Sequence, residues 1–245
     1  MFFIKIFYPR NIYKIISNPK LVLIQIKYIL KRIFFDFIYI FKKKYKYNLI
    51  FLAGMPMSAT TLVKNMFGYV PGYFTRYTPI PEHIDIEQDI THSAFRYCPS
   101  WSYTLIKTHL NPKKTNIDII QKNKVEKVIV TYRDLRDVVV ARYNRLLKFP
   151  KKENEPDYCD YKKISKEDGM EHSISVVEQN FVDWIFGWFE IGKENKNFIH
   201  FCKFEDLITN RKEEFIKMLK FYNINLSDDK IEEIVEKTKG KKDME

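Results

Sequence analysis

Four short apolar runs, each leading into a stretch with helical spacing, constrain this chain more than any other feature. Leu49–Ala53 (LIFLA) ends at Gly54 and leads into Thr60–Phe67, whose helical pattern stops at Gly68. Tyr103–Lys107 is the second run. Val128–Tyr132 (VIVTY) is the third and precedes a helix over Arg136–Leu147, with Val138, Ala141 and the Leu146/Leu147 pair turned inward. Phe198–Cys202 is the fourth. A long helix is expected over Met170–Ile191, carrying Trp184 and Trp188 one turn apart, and another over Glu213–Tyr222. Ser227 opens a last helix, with Asp228 and Asp229 against its positive end. Strands this apolar are buried on both faces, and their alternation with helices predicts an α/β fold with a mainly parallel sheet flanked by helices. Ligands in such sheets sit at the carboxyl ends of the strands. Residues 71–100 read as irregular loop with short helices, and 149–168 as a mobile surface loop.

With 245 residues and 45% hydrophobic content, the chain has enough core for one domain. Cys98, Cys159 and Cys202 are odd in number and widely spaced, which argues against a disulfide framework or a structural zinc site. The net charge of +11 is concentrated: residues 1–46 hold eleven Lys/Arg and one acid, Asp36, leaving 31 basic and 30 acidic residues elsewhere. The basic segment is full of Phe, Ile, Leu and Tyr, so a nucleic-acid partner is not expected. Lys5, Arg10, Lys14, Lys20, Lys27, Lys31, Arg32 and Asp36 break every run that would cross a membrane or form a signal peptide. An amphipathic helix remains, with Lys20, Lys27 and Lys31 on one stripe and Val22, Ile29, Ile33 and Ile40 opposite, then Lys42, Lys43, Lys44 and Lys46. This division puts a basic helical segment at 1–47 and the main domain at 48–245. It suits an anionic membrane surface, and predicts a cytoplasmic protein held peripherally on the inner face. The opposing reading is a segment that simply packs on the domain, its Ile/Lys/Phe bias inherited from an AT-rich genome.

The chemistry sits at two strand ends. Gly54-Met55-Pro56-Met57-Ser58-Ala59-Thr60-Thr61 joins the first strand to its helix, a turn that aims backbone N–H groups at an anion, with Ser58, Thr60 and Thr61 adding hydroxyls. Compared with G-x-x-x-x-G-K-[ST], Ala59 replaces the second Gly and Thr60 the Lys. Losing that cation at 4 Å forfeits about 4 kcal/mol at an effective dielectric near 20, so a kinase or ATPase is disfavoured. A phosphate outside a triphosphate fits better. After VIVTY come Arg133-Asp134-Leu135-Arg136-Asp137-Val138, where Arg133 is placed to fork two oxygens of a second phosphate, or to pair with Asp137 one turn on. Lys107-Thr108-His109-Leu110 follows the second strand.

Together these motifs resemble the sulfotransferases that use 3'-phosphoadenosine 5'-phosphosulfate (PAPS). Pro56-Met57-Ser58-Ala59-Thr60-Thr61 is similar to the family's P-K-S-G-T-T, Lys107–Leu110 to its K-T-H-L, and Arg133, Arg136, Asp137 and Val138 to R-x-P-[KR]-D-V-x-x-S. Phe204-Glu205-Asp206-Leu207 is similar to [YF]-E-D-L. The resemblance covers roughly residues 48–240 and implies the P-loop NTPase-like sulfotransferase fold. It also implies PAPS as co-substrate, adenosine 3',5'-bisphosphate as product, no metal, and an acceptor hydroxyl on a carbohydrate or lipid-linked glycan. His109 is then the general base and Lys107 the neutraliser of developing charge, two residues apart and so on one side of a strand. Ser58, Ala59, Thr60 and Thr61 hold the 5'-phosphate, Arg133 holds the 3'-phosphate, and Thr238 lies near the adenine.

Departures from the pattern are Met57 for the loop Lys/Arg, Ala59 for Gly, and Ala141 for the 3'-phosphate Ser. A late R-K-G-x-x-G segment is absent, with Lys239-Gly240-Lys241 a faint echo, so a C-terminal truncation is expected. Arg142 and Arg145 are candidate substitutes for the loop cation. The competing reading is a protein of this fold that binds nucleotide or membrane with weak or no catalysis.

Overall fold

The structure is a computed structural model. It describes residues 45–75, 88–95, 98 and 102–239, with helical positions 23, 26, 27, 30, 31, 33, 34, 37 and 38. Lys5, Arg10, Lys14, Lys20, Val22, Ile29, Arg32, Asp36, Ile40, Lys42 to Lys44, Gly240 and Lys241, named above, lie outside the described residues.

Five strands form one sheet in the order β2-β3-β1-β4-β5, every pair parallel. They are β1 (Leu49–Gly54), β2 (Phe74–Thr75), β3 (Thr104–Thr108), β4 (Val128–Tyr132) and β5 (Ile199–Lys203). Within residues 45–239 the described α-helices are α1 (Thr60–Gly68), α2 (Lys114–Lys122), α3 (Leu135–Lys148), α4 (Lys166–Glu194), α5 (Phe204–Thr209), α6 (Arg211–Phe221) and α7 (Asp228–Thr238). The three-layer α/β class is as expected. β1 shows why its run is continuous: Ile50 and Leu52 enter one core with α1, α6 and α7, while Leu49, Phe51 and Ala53 enter the other with α3 and α4. Side chains alternate faces along a strand, so both halves of LIFLA are needed.

Tyr45 and Tyr47 belong to the first core, so the packed domain reaches back at least to Tyr45. The ring of Tyr45 stacks on Tyr73 at 5.3 Å, and the Tyr73 hydroxyl donates to the Tyr47 carbonyl. Tyr222 closes the β1–β4 edge. Its hydroxyl accepts from Phe51 N at 3.0 Å and donates to the Lys127 carbonyl at 2.7 Å.

Several boundaries differ from the sequence reading. β2 lies in the 71–100 segment read as irregular loop with short helices, and the 3-10 turn at His92–Phe95 accords with that reading. α2 has no side-chain cap at Lys113, which left it unrecognised. α4 begins at Lys166, inside the expected 149–168 loop, because Ser165 Oγ accepts from Asp168 N at 3.0 Å. Just inside it, Gly169 packs on Tyr143: a Cβ there would come within 2.7 Å of the ring. On α3, Ala141 and Leu147 are only partly buried, and Val139, Arg142 and Tyr143 take inward places beside Val138 and Leu146.

Candidate active site

The loop between β1 and α1 is built around a buried hydroxyl cluster. Ser58 Oγ lies 2.7 Å and Thr60 Oγ1 2.8 Å from Thr131 Oγ1, and Ser58 Oγ donates to the Met55 carbonyl at 2.6 Å. Gly54 makes room for it: a Cβ there would stand 1.8 Å from Thr60 Oγ1 and 2.5 Å from Thr131 Oγ1. Ser58 and Thr60 lie in the β1–α1 loop with their hydroxyls turned inward to Thr131 rather than outward as donors. Thr131 escaped the sequence reading; a hydroxyl inside an apolar strand was the signal. Met57 (φ 66°) and Ala59 (φ 61°) both take left-handed backbone conformations. For a residue with a Cβ this costs roughly 1–2 kcal/mol, which explains why Gly suits position 59. The Met57 side chain packs against the second core.

α1 starts at Thr60, with Ala59 at its N-cap position, no side-chain cap hydrogen bond and no acid in its first turn, so its positive end faces the carboxyl end of the sheet without an acidic neighbour. Thr61, in that turn, is half-buried.

His109 lies just beyond β3 and is 7% exposed. Its Nδ1 is 2.5 Å from the Gly54 carbonyl and its Nε2 2.9 Å from Lys107 Nζ. A carbonyl only accepts, so Nδ1 carries the proton and Nε2 keeps its lone pair, with Lys107 donating to it. The segment is pinned elsewhere too. Thr108 Oγ1 donates to the Leu52 carbonyl at 3.1 Å. The indole N–H groups of Trp184 and Trp188 both donate to the Leu110 carbonyl, at 2.9 and 3.1 Å. Both tryptophans are core residues, and they also fix the backbone next to His109.

Arg133 leaves the end of β4, with β1 between it and β3. Two strand spacings separate the Lys107 and Arg133 ends, about 10 Å. Its guanidinium lies 4.0 Å from the centroid of the Phe204 ring, and Nη1 reaches the Met57 carbonyl at a long 3.5 Å. Asp137 stands 3.9 Å away, and Nε is buried without a partner. Phe204 and Glu205 therefore support the motif: Glu205 Oε1 accepts from Asp134 N at 3.2 Å. The sequence reading quoted Phe204–Leu207 as a pattern and missed this contact. Asp134 caps α3 through Arg136 N at 2.9 Å and holds the Arg136 side chain at 2.6 Å, which keeps its carboxyl well below the usual range. Lys203, at the end of β5 and 3.8 Å from Glu205, is a further cation at this edge.

Two candidates lie apart from this group. Arg142 is buried with Tyr161 and Ser173, to whose hydroxyls Nη1 donates, and Nη2 has no partner. Arg145 is exposed. Neither is engaged with the loop. Thr238 ends α7, which packs on α1, but its hydroxyl donates to the Ile234 and Val235 carbonyls of its own helix. Among the described residues no cluster of three His, Cys, Asp or Glu side chains is arranged for a metal ion.

Residues 48–243 match the family model described as a sulfotransferase domain. The chain belongs to the sulfotransferase domain family. No curated protein matches this sulfotransferase-family chain with significance. Solved structures similar to it include mouse sulfotransferase SULT7A1 complexed with PAP, at TM-score 0.58 and 16% identity. Retinol dehydratase in complex with androsterone and the inactive cofactor PAP is similar at TM-score 0.50 and 16% identity. In each comparison the match covers 78% of this chain and 64% of the other, so the chain spans under two thirds of these relatives. At that identity the likeness concerns the fold.

Proposed function

We propose that this domain transfers a sulfuryl group from PAPS to a hydroxyl of a carbohydrate or lipid-linked acceptor, with residues 48–245 forming the catalytic unit. The observation that carries the reading is the His109 tautomer: Nδ1–H is held by the Gly54 carbonyl, leaving Nε2 as a base beside the Lys107 ammonium. His109 Nε2 takes the acceptor's proton, a role worth about 10²–10⁴ in rate. Lys107 turns from Nε2 toward negative charge as it develops. PAPS supplies the sulfuryl group and leaves as adenosine 3',5'-bisphosphate. The positive end of α1 beyond Ala59, the amides of Thr60 and Thr61 and the Ser58 turn bind its 5'-phosphate, with the Ser58 and Thr60 hydroxyls shaping the loop from inside. Arg133, with its orphaned Nε, binds the 3'-phosphate. Thr238 joins this set through the packing of α7 on α1.

The fit to such a co-substrate is supported by neighbours of the same fold bound to PAP. We also infer that residues 1–47 meet an anionic membrane on the cytoplasmic side, from the excess of eleven basic residues over one acid in 1–46.

Calorimetry with adenosine 3',5'-bisphosphate tests the site. Wild type binds, and Arg133→Ala weakens binding at least tenfold. No heat from a folded wild-type sample would refute the assignment. A second reading, nucleotide binding without efficient transfer, is favoured by Met57, whose side chain packs into the core where the family carries a cation. It predicts the same binding with no labelled product from PAPS and membrane glycan extract, and no functional effect of His109→Ala.

A further inference from the structure

Seven large apolar side chains stand exposed on one short stretch. Leu23, Ile26, Leu30, Ile33, Phe34, Phe37 and Ile38 are between 41% and 72% accessible, all at helical positions. At 100° per residue, all but Ile38 fall within an arc of about 100°. Ile38 projects between Lys27 and Lys31, both exposed, on one flank of the arc. Lys31 Nζ lies 5.8 Å from the centroid of the Phe74 ring, which ties this flank to β2, the edge strand beside β3. Of the line Val22, Ile29, Ile33 and Ile40 drawn from the sequence, Ile33 is the member among the described residues.

We infer that the Leu23–Ile26–Leu30–Ile33 face, continued by Phe34 and Phe37, inserts in the plane of a bilayer rich in anionic lipid. The inference rests on the proposed membrane role of residues 1–47 and names the side chains that perform it. Charge selects the occupant. A second copy of this chain would bring another ten excess positive charges of residues 1–46 against the first. An anionic headgroup layer takes both the apolar face and the flanking lysines. No helix among the described residues is long and apolar enough to cross a membrane. With Lys31 against Phe74, this brings the β2 edge of the sheet, next to the strand bearing Lys107, toward the headgroups. The acceptor class that follows is a hydroxyl carried on a membrane lipid rather than a freely diffusing alcohol.

The test is co-sedimentation of the full chain with phosphatidylcholine vesicles, with and without phosphatidylglycerol. Wild type partitions to the mixed vesicles at least tenfold more strongly than to phosphatidylcholine alone. Leu23→Asp with Leu30→Asp lowers that partition at least tenfold. Lys27→Gln and Lys31→Gln lower it about fivefold each, the equivalent of roughly 1 kcal/mol per lysine. Circular dichroism checks that each variant is folded. Absence of wild-type partition, or partition unchanged in the leucine variant, overturns the inference. So does a wild-type dimer in sedimentation that Leu30→Asp dissolves without any vesicle binding, which would assign the face to a second copy. Calorimetry with adenosine 3',5'-bisphosphate on the same samples is read separately, so loss of nucleotide binding and loss of membrane binding remain distinguishable.

Discussion

Phe204→Leu is the sharpest probe of the proposed 3'-phosphate contact. The guanidinium of Arg133 lies 4.0 Å from the ring centroid of Phe204, and its other fixed contacts are weak: a 3.5 Å hydrogen bond to Met57 and a 3.9 Å approach to Asp137. A cation over an aromatic face gains about 0.5–1 kcal/mol when exposed and about 2 kcal/mol or more when desolvated. The Arg133 side chain is 20% exposed, between those limits, so about 1–2 kcal/mol is expected. Leucine fills much of the same volume but has no π face. If the ring holds Arg133 ready for a phosphate, calorimetric affinity for adenosine 3',5'-bisphosphate falls about 5- to 30-fold in Phe204→Leu, by the usual conversion of free energy to binding constant. Phe204→Tyr, which keeps the ring, stays within about twofold. Affinity unchanged in the leucine variant, with a wild-type melting temperature, would show that the ring does not preorganise Arg133. An equal loss in both variants would point to packing rather than to the cation–π contact.

Gly54→Ala drives a methyl into Thr60 and Thr131, and is expected to cost more than about 3 kcal/mol or prevent folding; a melting temperature near wild type refutes the close approach. The double variant Trp184→Phe/Trp188→Phe strips both donors from the buried Leu110 carbonyl and should cost about 1–3 kcal/mol, with each single variant well under half of that, as read by urea denaturation. Burial lowers the pKa of His200 in the folded state, so the unfolded chain takes up its proton first. The contribution is whole above the ordinary value of 6.5 and declines as pH falls below it, and His200→Gln should flatten the fall in melting temperature there. Arg142→Met removes a buried guanidinium held by two hydroxyls and the Tyr161 ring, and is expected to leave stability unchanged or raise it; a loss above about 2 kcal/mol would reveal an anionic partner.

Legibility in the sequence followed the physics of each element. β1 and β4 announce themselves because both faces of a central parallel strand are buried, leaving no polar interruption in Leu49–Ala53 and only Thr131 within Val128–Tyr132. α2 and β2 do not. Lys113 offers no cap, and a two-residue strand has no period to detect. Arg142 shows the reverse failure: a charge at one helix position is ordinarily solvated, and only the return of Tyr161 over α3 buries it. What the loop hydroxyls do was not readable from the sequence. Whether Ser58 and Thr60 face a ligand or the protein depends on Thr131, more than seventy residues away in sequence and next to them only through the register Gly54↔Thr131.

That same register explains how a chain with Met57 in place of a cation keeps a coherent site. Gly54 serves both halves. Its missing side chain admits the hydroxyl cluster that shapes the loop, and its carbonyl selects the His109 tautomer. Neither function calls on the Met57 side chain, which contributes to the core and offers its carbonyl to Arg133. Substituting Met57→Lys therefore tests a separable element. If the base and the nucleotide contacts are intact and only charge stabilisation is lacking, the variant raises turnover of PAPS by about 10²–10³, the usual worth of one preorganised stabiliser, while leaving adenosine 3',5'-bisphosphate affinity within a few-fold. A gain in affinity with no gain in turnover would mean that the deficit lies instead at His109 or in the acceptor's position.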